Sequence, residues 1–103
     1  MFLVVFRNRK RPDMDADAYA ADAARMEELA RAQPGYRAFK SYTSDDGEVV
    51  ALSEWDSAEA ARGWGRHVEH SAVQGRGRTE YYDSYTLFAC DEPRIHAFER
   101  AET

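Results

Sequence analysis

Residues Phe2 to Arg9 alternate with the two-residue period of a strand: Phe2, Val4, Phe6 and Asn8 on one face, Leu3, Val5 and Arg7 on the other. Both faces begin apolar, which suits an inner strand covered on two sides. Pro12 ends it. The pattern then changes to helical spacing, with Tyr19, Ala23, Met26 and Ala30 in phase and Leu29 alongside. Asp13 or Asp15 can cap this helix, where early acids suit the positive end of its dipole. Asp15, Asp22 and Glu27 mark its wet face, and Pro34–Gly35 stops it after about Ala32.

Two more alternating runs follow, Tyr36 to Ser44 and Glu48 to Trp55, joined by the hairpin signal Asp46–Gly47. A second helix should start at Asp56, which with Glu59 can form a capping box, or at Ser57. It should continue to about Gln74, with a possible break near Gly65, and stop at Gly75 and Gly77. A last strand is expected over Thr79 to Cys90. Its alternation places Tyr82, Thr86 and Phe88 on one face, and Tyr81, Tyr85 and Leu87 on the other.

The order β-α-β-β-α-β predicts an α+β, ferredoxin-like unit, an antiparallel sheet with two helices on one face. The other sheet face would carry aliphatic and aromatic residues into water, so a homodimer packed sheet to sheet is expected. Residues 1–92 form the domain. Residues 93–103 form a tail whose Ile95, Ala97 and Phe98 could pair with the partner chain.

Composition adds exclusions. The chain has 103 residues, enough for one domain with a thin core. Its net charge of −5 argues against a nucleic-acid partner, and the local cluster Arg7, Arg9, Lys10, Arg11 reads as a solvated strand end. Cys90 stands alone, so a disulfide within the chain or a cysteine-built metal site is not expected. The N-terminus is apolar for five residues after Met1 and then basic, the reverse of a signal peptide. No stretch approaches the ~20 apolar residues of a membrane span. The protein is expected in the cytoplasm.

The chemistry concentrates between Glu54 and Arg78, which hold two tryptophans, two histidines and Gln74. On an unbroken helix, His67 and Gln74 flank the face of Trp64 and His70 lies farther round; a break near Gly65 would reset the phase and bring His70 inward. Trp64 could equally be core and the histidines surface. His67 and His70 form an i, i+3 pair, but a zinc site needs further ligands, and Glu69 and His96 are poorly placed, so no metal is expected. Gly75-Arg76-Gly77-Arg78 follows a helix and lacks the Walker lysine–hydroxyl pair, so it is a helix stop, although Arg76 could pair with an anionic ligand.

The element order, Asn8 near the end of strand one, and the run Glu54-Trp55 … Trp64-x-x-His67-x-x-His70 … Gln74-x-Arg76 … Tyr81/Tyr82-x-x-Tyr85 together resemble the antibiotic biosynthesis monooxygenase superfamily, nearest its haem-degrading-monooxygenase-related branch. The resemblance spans roughly Phe2 to Cys90. It implies a dimeric α+β barrel with one pocket per protomer between helices and sheet. Family enzymes oxidise polycyclic aromatics with O2 and no metal or flavin, or open the haem ring. In the haem-degrading members the iron ligand is a histidine ten residues beyond the helix-two tryptophan; here Asn8 and Trp64 match, but Gln74 occupies the ligand position. The cofactor-free members use tryptophan, asparagine, tyrosine and arginine, for which Trp64, Asn8 and Tyr82 or Tyr85 are available.

The expectation is therefore a cofactor-independent monooxygenase of a small aromatic or polyphenolic molecule. Asn8 would hold an oxyanion, Trp64 would stack on substrate, and His67 or His70 would move a proton, with Gln74, Arg76, Tyr82 and Tyr85 binding substrate. The alternatives are haem binding and degradation through His67 or His70, and a non-enzymatic dimer that binds a small ligand.

Overall fold

The strand and helix periods of the sequence recur in the computed structural model, which describes residues 1–101 without the side chains of Val68 and Glu69. Glu102 and Thr103, the end of the expected tail, lie outside the described residues. The elements are β1 (Phe2–Lys10), α1 (Ala16–Arg31), β2 (Tyr36–Thr43), β3 (Val49–Trp55), α2 (Ala58–Gly65), α3 (Val68–Arg76), a π-helical turn (Gly77–Tyr81) and β4 (Tyr82–Asp91). The strands form one antiparallel sheet in the order β2-β3-β1-β4. This is the ferredoxin-like α+β arrangement, and β1 is internal as its two apolar faces require.

Asp15 is the cap of α1, accepting the Ala18 N–H at 3.0 Å, while Asp13 pairs with Arg11. Gly47 closes the β2–β3 hairpin with φ +90°, a conformation that other residues seldom adopt. Helix two departs from the simple pattern. Ser57 caps it, accepting from Ala60 N at 3.1 Å, and Asp56 turns instead to Arg37 at 2.5 Å. The helix then breaks: α2 ends at Gly65 and α3 begins at Val68. Gly63 and Gly65 weaken the helix there, since each glycine costs about 1 kcal/mol relative to alanine. The break leaves carbonyls that the missing turn would have used. Those of Trp64 and Gly65 are taken by the side chains of His70 at 2.9 Å and Ser71 at 3.1 Å.

The last strand starts at Tyr82, three residues later than its alternation suggested, because Gly77–Tyr81 winds into the π-helical turn. A Cβ on Gly77 would lie 2.7 Å from the Tyr82 ring, so glycine is what lets that ring rest against the backbone. A bulge follows: Arg9 opposes Ser84 while Lys10 opposes Tyr82. It turns Tyr82 to the same face as Tyr85, correcting the strict alternation that had set them on opposite faces.

α1 packs on β2 and α2 on β3. Among the described residues, the buried apolar side chains are Ala30, Trp55 and Tyr81, joined by the polar Asn8. This is a thin core. The accessible surface is 7413 Å², against roughly 5,900 Å² for a compact monomer of this mass. The radius of gyration is 15.0 Å, against about 13 Å for a compact chain of this length. The tail contributes, with Ile95 and Phe98 exposed.

Candidate active site

The register fixes which residues share the helix-side face of the sheet. Phe2, Val4, Phe6, Asn8 and Lys10 of β1 stand beside Trp55, Ser53, Ala51 and Val49 of β3, and beside Ala89, Leu87, Tyr85 and Tyr82 of β4. Helices cover the β2–β3 side, but Leu87 remains 52% and Tyr85 44% exposed. The floor between is lined by the small residues Ala51, Ser53 and Ala89. The result is an open apolar trough running along β1. Six residues separate Phe2 from Asn8, so its ends lie about 20 Å apart along the strand.

At one end sits Asn8, only 3% exposed. Its Oδ1 accepts from Lys10 Nζ, and because an ammonium can only donate, this fixes the amide orientation and leaves Nδ2 as a donor. Rings surround the pair. Lys10 Nζ lies 4.8 Å from the Tyr19 ring centroid and 5.2 Å from that of Tyr82. Phe6 contacts Tyr82 and Tyr85 with centroids 5.4 and 5.2 Å apart, and Tyr82 meets Tyr85 at 6.0 Å. Burial, and then the neighbouring Tyr19 phenol, push the Tyr82 phenol above its ordinary range, so Tyr82 is a hydrogen-bond donor at neutral pH.

At the other end, Trp64 is layered between Trp55, at 6.3 Å, and His70, whose ring stacks at 4.2 Å and 13°. His70 Nδ1 is bonded to the Trp64 carbonyl, which accepts only, so the neutral ring carries its proton on Nδ1 and its lone pair on Nε2. Burial lowers the His70 pKa, opposed by that carbonyl and reinforced by His67. His67 lies 5.5 Å from Trp64, and its Nδ1 is buried with no partner among the described residues.

The predicted residues thus divide. Asn8, Tyr82 and Tyr85 converge at one end; Trp64, His67 and His70 converge at the other. Two join neither group. Gln74 is exposed on α3, and its side chain makes no hydrogen bond among the described residues. Arg76 is engaged by Asp22 at 2.9 and 3.0 Å, and Tyr81 donates to the same carboxylate at 2.6 Å. That network ties α3 and the π-helical turn to α1. Arg76, and then Tyr81, hold the Asp22 carboxyl below its usual range. Lys10 and Tyr19 are site residues that the sequence reading passed over. Lys10 is in phase with Asn8 at period two, but its arginine neighbours give it the look of solvated charge.

A separate cavity of about 400 Å³ is lined by Arg11, Asp13, Asp15, Ala18, Glu80 and Tyr81. Apart from Glu80, its polar groups are already committed: Arg11 pairs with Asp13, Asp15 caps α1 and Tyr81 donates to Asp22. The trough is the better candidate, because its apolar floor ends in polar groups with free donors and acceptors.

The family model for antibiotic biosynthesis monooxygenase matches residues 1–76, most of the chain. The chain belongs to the antibiotic biosynthesis monooxygenase family. The uncharacterized protein YqjZ of Bacillus subtilis is 36% identical over 81 residues, covering 79% of this chain and 71% of that protein. Solved structures share the fold at lower identity. That of Rv0793 from Mycobacterium tuberculosis superposes with a TM-score of 0.74 at 20% identity over 98% of each chain. That of SnoaB, a cofactor-independent oxygenase from Streptomyces nogalater, gives 0.75 at 14% identity over 91% of this chain and 94% of its own.

In this family member, the segment matched by the family model contains Asn8, Lys10, Trp64, His67 and His70 and stops short of Tyr82 and Tyr85. Among the described residues, no group of three or more His, Cys, Asp or Glu could hold a metal ion, and no helix is long and apolar enough to cross a membrane. Were haem bound, His67 or His70 would supply the nitrogen ligand to its iron, His70 through Nε2 because its Nδ1 is bonded to the Trp64 carbonyl.

Proposed function

We propose that the protein is a cofactor-independent monooxygenase that converts a phenolic polycyclic aromatic to a quinone. The observation that carries this is Asn8, a buried amide beside an ammonium and a cluster of rings at the end of an apolar trough. Family membership and the fold likeness to SnoaB, described as a cofactor-independent oxygenase, support it.

The substrate lies along the floor over Phe6, Ala51 and Leu87. Loss of its phenolic proton gives a phenolate whose negative charge is shared with the ring carbon opposite. Asn8 Nδ2 donates to the oxyanion and stabilises it in a site with little water. The ring carbon gives its electrons to O2 and forms a C–O bond, and the distal oxygen takes up a proton. Loss of the remaining hydrogen at that carbon, with cleavage of the O–O bond, leaves the quinone and one water. The substrate is thus the only reductant. The phenolic proton passes to water at the open side of the trough; His70, kept neutral by burial with its lone pair on Nε2, can take a proton only from the far end of the ligand.

The working form is a homodimer in the cytoplasm, acting on a small aromatic ligand and neither nucleic acid nor membrane. Leu3, Val5, Val50, Leu52 and Phe88 make the sheet face away from the helices apolar. Covering it with a second copy would remove about 800 Å² per protomer, roughly half of the excess surface. In analytical ultracentrifugation, the wild type should sediment as a dimer and Val5→Glu as a folded monomer; a monomeric wild type contradicts this part.

The activity is tested by O2 uptake with a three-ring phenol in the presence of a chelator. One O2 should be consumed per quinone formed, and Asn8→Ala should lower kcat by about 10²- to 10³-fold. An unchanged rate in Asn8→Ala would sink the assignment. The second reading, haem binding, is favoured by the free Nε2 of His70; a Soret band on haemin titration that His70→Ala abolishes would establish it instead.

A further inference from the structure

We propose that Lys10 is the anion-binding residue of the trough, so that the site selects the ionised form of a phenol over the neutral one. The inference rests on the aromatic-ligand reading above and adds a specificity-determining charge to it.

The argument starts from the basic cluster on β1. Arg7 pairs with Glu48 at 3.1 Å, Arg9 with Asp46 at 2.8 Å and Arg11 with Asp13 at 3.0 Å. The pattern extends through the protein, with Arg31 on Glu27, Arg37 on Asp56 and Arg76 on Asp22. Lys10 is the exception in its cluster. Among the described residues, no carboxylate lies within ion-pairing distance of its ammonium. It is also the member of the cluster that shares the helix-side face with Asn8, and it is half-buried there.

Its partners are neutral: Asn8 Oδ1 and the faces of Tyr19 and Tyr82. Ring faces attract a cation without neutralising it. An ammonium has three N–H donors, and the hydrogen bond to Asn8 uses one. A partly desolvated cation with donors to spare and no counterion is completed by an oxyanion. The groups facing it from the packed elements are Tyr19 of α1, Tyr82 of β4 and Asn8 of β1, and none of these is a competing acid. The adjoining shelf of Phe6, Tyr85 and Leu87 takes a ring, so the completing group is an oxygen anion carried on an aromatic. A phenolate placed there meets Lys10 and Asn8 Nδ2 together.

The test uses 4-nitrophenol, whose phenolate absorbs visible light, with nitrobenzene as the uncharged comparison. Bound to the wild-type protein, 4-nitrophenol should ionise at lower pH than in buffer. Lys10→Met should abolish that shift and weaken phenolate binding by at least about tenfold, the scale of one charge-assisted hydrogen bond. Nitrobenzene should bind both proteins equally, which shows that the variant is folded, and Lys10→Arg should restore the shift. Equal phenolate affinity in Lys10→Met, equal losses for both probes, or no binding of 4-nitrophenol to the wild type would overturn the proposal. The two readings separate cleanly. A Lys10-dependent shift without O2 uptake retains the anion site and removes the oxygenase. Turnover with unchanged kcat and KM in Lys10→Met does the reverse.

Discussion

The two ends of the trough are made differently. The Asn8 end stands on the sheet: Asn8 and Lys10 come from the central strand, and Tyr82 and Tyr85 from the strand beside it, all fixed by backbone pairing. The Trp64 end stands on a broken helix, where His70 of α3 caps the carbonyl of Trp64 in α2 and stacks on its ring. One end is polar and charged, with its geometry set by register. The other is a pile of rings whose geometry depends on where a helix stops. A site that had to hold an oxyanion firmly and admit a bulky ring would benefit from that division, because the sheet cannot shift easily and a helix junction can.

The contrast can be broken by removing the stack. Trp64→Ala deletes the ring between Trp55 and His70 and should cost about 3 kcal/mol, lowering Tm by about 10 °C or more in a thermal melt. A drop of only a degree or two would mean that the stack does not hold the junction. The opposite end is probed by Gly77→Ala, whose new Cβ would press on the Tyr82 ring. It should cost about 1–3 kcal/mol in chemical denaturation, and it should also impair phenolate binding. A variant of wild-type stability would show that the ring simply moves aside.

The smallest effect comes from His70. Its folded pKa lies below the unfolded value because burial disfavours the imidazolium. Below about pH 6.5 the unfolded chain therefore binds more protons than the folded one. Stability should be full above that pH and should fall as pH drops toward the folded pKa. His70→Asn should flatten this part of the profile, measured as the urea midpoint between pH 7 and pH 5. An unaltered slope would assign the acid sensitivity to other groups.

Much of the polar end was legible. Period-two alternation put Asn8 in phase with Phe6 and Val4, and pairing with β4 did the rest. Tyr82 was misplaced because a bulge opposite Arg9 and Lys10 is a property of two strands together, invisible in either alone. Lys10 was passed over for a related reason: it stands between two arginines, and only the fold shows that Arg7 and Arg9 meet acids at the β2–β3 hairpin while Lys10 turns inward. At the other end, the Gly63-Trp64-Gly65 run signalled a weak helix, and the inward turn of His70 follows from a break there. What the sequence did not carry was the capping of Trp64 and Gly65 by His70 and Ser71, since those contacts exist only once the break has formed. Nor did it reveal that Arg76 is engaged by Asp22, a partner 54 residues away.

That the two ends serve one ligand is tested most directly by NMR titration of the 15N-labelled protein with a three-ring phenol, following the Asn8 side-chain amide and the Trp64 indole N–H. Both signals should move together and saturate with a single Kd. A ligand that shifts only one of them, or that shifts them with different affinities, would contradict a shared trough.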